Sequence, residues 1–218
     1  EKLLLDFLRK SRIYNHWYPV IAVMLGTGMR VGEVTGLRWC DVDFDKGVID
    51  VNHSLIYYAH RIVNEGEKQG SYFAIGEPKT KAGCRKIPMF DSVKEALLME
   101  KQYQDITGNH CKAVIDGYTD FIFVNRYGSV LHQGLINKAL HRIIRDCNLQ
   151  VIDKSKDSEP KVILPHFSCH SLRHTFATRL CEEEWDYKVI EEVMGHSDIR
   201  TTMDIYTDVT DDRLMDYF

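Results

Sequence analysis

Residues 20–33 read Val20-Ile21-Ala22-Val23-Met24-Leu25-Gly26-Thr27-Gly28-Met29-Arg30-Val31-Gly32-Glu33, and this stretch decides the class of fold. Trp17, Val20, Ile21, Met24 and Leu25 recur at helical spacing and predict a helix with one apolar stripe. Gly26-Thr27-Gly28 breaks that helix and restarts the chain. Arg30 to Leu37 then reads as a second, short helix. Leu4, Phe7 and Leu8 place another helix over residues 2–11. Leu135, Ile136, Ala139, Leu140, Ile143 and Ile144 make an amphipathic helix. Ser92-Val93-Lys94-Glu95 is a capping-box pattern that opens a helix through about Ile106. After Pro165 the chain is helical again. Leu172, Phe176, Ala177 and Leu180 line one helix, and Val189, Ile190, Val193 and Met194 line the next, closed by Gly195.

Between these helices lie short alternating segments. Val42-Asp43-Phe44 and Val48-Ile49-Asp50-Val51 flank Asp45-Lys46-Gly47 and predict a β-hairpin. Leu55 to Val63 reads as strand or as an elaborated loop. Tyr72-Phe73-Ala74-Ile75 and Lys86-Ile87-Pro88-Met89 flank the basic turn around Lys79, which predicts a second hairpin with the lysines at its tip. Phe121-Ile122-Phe123-Val124 reads as a short buried strand, and residues 153–160 as a charged, breaker-rich loop. Helices on both sides of a small β-segment give a mostly helical α+β domain.

The chain has 218 residues, 44% hydrophobic and 28% charged, enough for one full core. No apolar run is long enough to cross a bilayer. The start, Glu1-Lys2-Leu3-Leu4-Leu5-Asp6, has neither an initiator Met nor a signal-peptide pattern and reads as a cut inside a longer protein. Six scattered cysteines without a C-x-x-C pair suggest free thiols in a reducing cytoplasm. The net charge of −4 runs against a nucleic-acid partner, which usually meets a basic surface. The charges are unevenly placed, however. Acidic residues crowd the last third, while Lys79, Lys81, Arg85 and Lys86 form one basic cluster and Arg142 with Arg145 another. A bipolar surface can present a basic face under a negative total.

Three stretches hold the chemistry: Arg30 with Glu33, His170-Ser171-Leu172-Arg173-His174, and Gly195-His196 followed ten residues later by Tyr206. Arg30, Arg173, His170, His196 and Tyr206 suit gripping a phosphodiester and attacking it with a phenol. Each stretch has a plainer reading. Arg30 and Glu33, three apart on a helix, could be a surface ion pair of little energetic weight. His166, Cys169, His170 and His174 could hold zinc, although no second ligand pair has finger-like spacing. Tyr206 alone reads as packing, and Lys79 and Lys81 as solvated turn residues.

The order of these motifs resembles the catalytic domain of the tyrosine recombinase (phage integrase) family, close to integrases of conjugative transposons. The resemblance runs from Trp17 through Asp208. It includes the arginine box Thr27 to Trp39, the segment Pro78-Lys79-Thr80-Lys81-Ala82-Gly83-Cys84-Arg85-Lys86-Ile87-Pro88, the box His170 to His174, Gly195-His196 and Tyr206. It implies a site-specific recombinase of a mobile element. Tyr206 would be the nucleophile, with Arg30 and Arg173 on the non-bridging oxygens. Lys79 would be the general acid, ahead of Lys81 as the substitute. His170 would accept or orient the tyrosine proton, His196 would hydrogen-bond the phosphate, and Glu33 would buttress the network. Lys81, Arg85 and Lys86 would contact DNA. No metal, ATP or other cofactor is implied. The partners implied are double-stranded DNA, three further copies in a tetramer on DNA with a free monomer otherwise, and an excisionase, in a bacterial cytoplasm. In that assembly the last residues, with Leu214, Met215 and Phe218 on one face, would dock on a neighbouring copy. The whole chain, 1–218, is read as the catalytic domain, without the family's amino-terminal core-binding and arm-binding domains. The alternatives are a type IB topoisomerase-like activity and a DNA-binding regulator without catalysis.

Overall fold

A computed structural model describes residues 1–59, 61–64, 67–77, 83–154, 163–183 and 185–195. In chain order its elements are α1 (Lys2–Lys10), α2 (Tyr18–Thr27), α3 (Val31–Gly36), β1 (Val42–Asp43), β2 (Val48–Val51), β3 (Ser54–Tyr58), β4 (Arg61–Asn64), β5 (Glu67–Gln69), β6 (Tyr72–Gly76), β7 (Arg85–Pro88), α4 (Asp91–Thr107), α5 (Gln133–Lys154), α6 (Cys169–Glu182) and α7 (Tyr187–Met194).

Helix α2 is the axis of the core. The sequence predicts one apolar stripe, but every residue from Tyr18 to Thr27 is buried, because α4 and α6 pack on it together. Pro19, near its start, suits a first turn that needs no backbone donor there. Gly26 lets α4 come close: a Cβ at this position would lie 2.3 Å from Val93 Cγ2. Gly28 ends the helix in the left-handed conformation, with φ 59°, which glycine adopts without a side-chain clash. A Cβ there would lie 2.3 Å from the Phe176 ring.

The first hairpin forms as expected, with Val42 opposite Ile49. The second does not. Strand β6 pairs antiparallel with β3, from Ser54↔Gly76 to Tyr58↔Tyr72, and β7 pairs with β2, Ile49 opposite Ile87. That register buries Ile49 and Ile87 completely on the core face. Burying both side chains outweighs the entropic advantage of a local turn, which grows only slowly as a loop shortens. Residues 78–82, with Lys79 and Lys81, lie outside the described residues.

Helix α4 also starts differently from its sequence reading. Phe90 is the N-cap and no side chain caps the helix. The chain arrives from β7 tied by the Met89 N–H to the Gly47 carbonyl at 2.8 Å, which sets the start one residue before Ser92. Glu95 pairs with Arg9 instead, at 2.9 Å. Phe121, Ile122 and Phe123 are buried, but they join only through isolated bridges, Arg38↔Phe121 and Val124↔Val130, not as a strand of a sheet. Helix α6 buries the face its periodicity predicts, and α5 does so from Ile136 to Ile144, with Leu135 only partly buried. Helix α7 buries Ile190, Val193 and Met194 and leaves Val189 exposed. Helix α5 continues to Lys154, the second residue of the expected loop, and residues 155–160 lie outside the described residues.

Candidate active site

The left-handed turn at Gly28 places Arg30 at the N-cap of α3, in extended conformation. Glu33, one turn on, accepts the Arg30 backbone N–H at 2.9 Å and Arg30 Nη1 at 3.0 Å. This is no surface pair, because the Glu33 side chain is only 8% exposed. Arg85 meets the same carboxylate from β7, donating Nη1 at 3.1 Å and Nη2 at 2.8 Å. The sequence reading sends Arg85 to DNA with Lys86. The structure buries it, with 3% of its side chain exposed, while Lys86 is exposed. The alternation along β7, in at Arg85 and Ile87 and out at Lys86 and Pro88, is the reason. That same period was present in the sequence and could have found it.

Arg173 lies on α6, one turn from its start, where Ser168 is the N-cap. It too is buried. It donates to the Gly28 carbonyl and, at 2.7 Å, to the carbonyl of Met194. A pattern invisible in the sequence now appears. The last carbonyls of α7 each accept from a different arginine: Val193 O from Arg85 Nε, Met194 O from Arg173 Nη2 and Gly195 O from Arg30 Nη2, all at 2.7 Å. Carbonyls at a helix C-terminus lack intrahelical partners and carry partial negative charge. Three guanidinium groups therefore cap one helix end, which the sequence continues into His196.

Among the described residues charge in this cluster is unbalanced, since Glu33 pairs with both Arg30 and Arg85 and Arg173 adds a third guanidinium beside them. Burial pushes Glu33 up, but the hydrogen bonds and charge of Arg85, then those of Arg30, outweigh it and hold Glu33 below the ordinary carboxylate value. Burial pushes Arg173 down to about 9, helped by the charges of Arg30 and Arg85 and opposed by Glu33. The guanidinium still carries its proton at neutral pH, so the described part of the site holds an excess of positive charge and favours an anion. Arg30 is the open member, with 46% of its side chain exposed.

His170 is exposed on the first turn of α6, with its Nε2 2.8 Å from the Nε2 of His174 and the rings edge-on. One of the two Nε2 atoms must carry the hydrogen and donate to the other. Burial first, then the His170 and Arg173 charges, lowers the His174 pKa. The four zinc-ligand candidates do not converge. His166 meets His141 edge-on, and Cys169 is buried with its thiol pushed up to about 12. Among the described residues no three His, Cys, Asp or Glu side chains gather as a metal set.

Beside Arg30 opens a groove of about 840 Å³, lined among others by Ser54, Tyr57, Gly76, His132 and Gln133. Tyr57 and His132 stack in parallel there, 4.0 Å apart. Sequence reading missed both, since neither belongs to a motif. The structure thus brings together Arg30, Glu33 and Arg173, with His170 on the same helix as Arg173. Lys79, Lys81, His196 and Tyr206 lie outside the described residues.

The model of the Phage integrase family matches residues 1–213. The transposase from transposon Tn916 of Enterococcus faecalis is 32% identical over 215 residues, 99% of this chain and 48% of the relative. A tyrosine recombinase XerC-like protein of Caldanaerobacter subterraneus subsp. tengcongensis is 29% identical over 204 residues, 92% of this chain and 48% of the relative. Among solved structures, the Tn1549 transposon integrase in complex with circular intermediate DNA is 28% identical, with a TM-score of 0.76 over 100% of this chain and 64% of that chain. The chain spans about half the length of the curated relatives it matches.

Proposed function

The chain belongs to the phage integrase family, and on that premise we propose that it is the catalytic domain of a site-specific DNA recombinase of a mobile element. One observation carries the reading. Arg30 and Arg173, 143 positions apart in the sequence, converge on the end of α7, one residue before His196. Two fixed guanidiniums can hold the non-bridging oxygens of a phosphodiester and oppose the charge of a pentacoordinate transition state.

In the proposed reaction the Tyr206 phenol oxygen attacks phosphorus and the bond to the 5′-oxygen breaks. His170, hydrogen-bonded to His174, orients the phenol and accepts its proton. Lys79 gives a proton to the departing 5′-oxygen, and His196 hydrogen-bonds the phosphate. The product is a 3′-phosphotyrosyl link and a free 5′-hydroxyl. The link conserves the diester energy for rejoining, so ATP is not needed. Duplex DNA is the substrate, gripped with the help of Lys81 and Lys86. Four copies act together on paired sites, the segment after Tyr206 docks between copies, and an excisionase sets direction.

The test uses a pool of duplexes with randomised sequence around a single 5′-bridging phosphorothiolate, in excess EDTA. The sulfur leaves without a proton and cannot rejoin, so cleavage is trapped. We expect a denaturation-resistant protein–DNA adduct from the wild-type chain and none from Tyr206→Phe, which should still retain DNA. Lys79→Ala should form adduct on this pool but not on ordinary nicked suicide substrates. Arg173→Ala should stay slow on both. An adduct from Tyr206→Phe, or activity only after magnesium or zinc is returned, overturns the reading.

A further inference from the structure

Arg85 has no part in the proposed chemistry, yet it is among the most completely engaged side chains of the site. Its fork takes both oxygens of Glu33, and its Nε takes the carbonyl of Val193, 108 positions away. All three of its nitrogens already donate to Glu33 or Val193, so its guanidinium is spent within the protein, whereas Arg30 stays half exposed.

What Arg85 does follows from what its loss would leave. Glu33 is buried and holds two partners, Arg85 through a fork and Arg30 through its backbone N–H and one Nη. A carboxylate accepts a whole guanidinium fork when one is available. Without Arg85, Arg30 is the nearest fork. It would turn onto Glu33, leave the Gly195 carbonyl and withdraw donors from the open side of the site. The Val193 carbonyl would lose its partner at the same time, and the end of α7 would lose one of its three anchors.

We propose that Arg85 is a positioning residue for strand cleavage: it occupies Glu33 and anchors the end of α7, so that Arg30 keeps donors for the scissile phosphate and the chain entering His196 starts from a fixed place. This rests on the recombinase reading above.

The test uses the duplex that the wild-type chain selects from the randomised pool, made with ordinary oxygen and, separately, with an uncharged methylphosphonate at the scissile position. Removing the charge lessens the need for a well-placed Arg30, and Arg30→Ala serves as the control that recovers on the methylphosphonate. Misplacing a catalytic group costs about 100-fold in rate, so Arg85→Met should slow adduct formation by that order on the phosphate. It should do far less on the methylphosphonate and leave the Kd for DNA unchanged. Adding Glu33→Gln, which no longer captures Arg30 as an anion, should restore part of the phosphate rate. Equal slowing on both substrates would reduce Arg85 to a fold-stabilising residue, and a wild-type rate on both would remove it from the reaction. Should Arg85→Met fail to fold by circular dichroism, Arg85→Lys carries the same comparison, keeping a charge beside Glu33 without the fork. If the wild-type chain itself forms no adduct, the recombinase reading fails, and not this one alone.

Discussion

Two stretches eight residues apart carry the same local device with opposite outcomes. In Arg30-Val31-Gly32-Glu33 and in Arg38-Trp39-Cys40-Asp41 an arginine at the N-cap meets an acid three residues on, which accepts both its backbone N–H and its guanidinium. Asp41 takes Arg38 through Nε and Nη2, at 3.0 and 2.9 Å, and also accepts from Asn52. The Arg38 guanidinium lies over the Tyr118 ring. Both Arg38 side-chain donors to a carboxylate thus go to Asp41, and 22% of its side chain is exposed. Glu33 is shared with Arg85, so Arg30 gives it only one Nη and stays half exposed beside the groove. An arginine is available for a ligand when a second cation satisfies its acid. That second cation comes from a distant strand.

The largest expected effect breaks the pair along that line. Arg30→Ala should slow adduct formation on the order of 100- to 1,000-fold, as loss of a transition-state donor does, with little change in urea midpoint. Arg38→Ala should do the reverse. It leaves the buried Asp41 without its fork, at about 2 kcal/mol of stability, and spares the chemical rate. If both variants lose rate alike, the distinction between the two arginines is wrong.

A third buried carboxylate sharpens the comparison, because an amide stands where the other two have a guanidinium. Glu100 accepts from Gln104 Nε2 at 2.9 Å, and burial pushes its pKa up to about 7 from 4.5. The protonated form is then favoured in the fold. The stability it contributes is complete below pH 4.5 and is lost as pH rises to about 7. Thermal midpoints of Glu100→Gln should lack that decline between the two pH values, whereas an identical decline in the variant would place its source elsewhere. Glu33 gives the smallest and opposite signal. Its folded pKa lies below 4.5, so its contribution is present above that pH and lost as pH falls through the folded value. Glu33→Gln should flatten the acid limb of the melting curve below about pH 4.5, and an unchanged limb would count against the buried carboxylate.

Helical segments were legible because their apolar spacing is local. Where packing intervened, the reading failed in specific ways. The stripe expected on α2 became a helix buried all round, since periodicity cannot report neighbours on every side. The capping box at Ser92 yielded to the tether between Met89 and Gly47. The hairpin expected across Lys79 gave way to pairing of β7 with β2, which buries Ile87. Arg85 was assigned to DNA by its basic neighbours, although its place in register with Ile87 pointed inward.

The sequence by itself determined the helical segments, the residue types of the site and their order, because propensity, spacing and side-chain chemistry act over a few residues. It also determined that Arg30 would find Glu33, one helical turn away. Only the tertiary structure decided that Glu33 would be buried and shared with Arg85, and that three arginines would cap the carbonyls of Val193, Met194 and Gly195. Those contacts join β7, α3, α6 and α7. They exist because a buried carboxylate and an unpaired helix end must both be satisfied, and the fold brings Arg30 and Arg85 to both and Arg173 to the helix end.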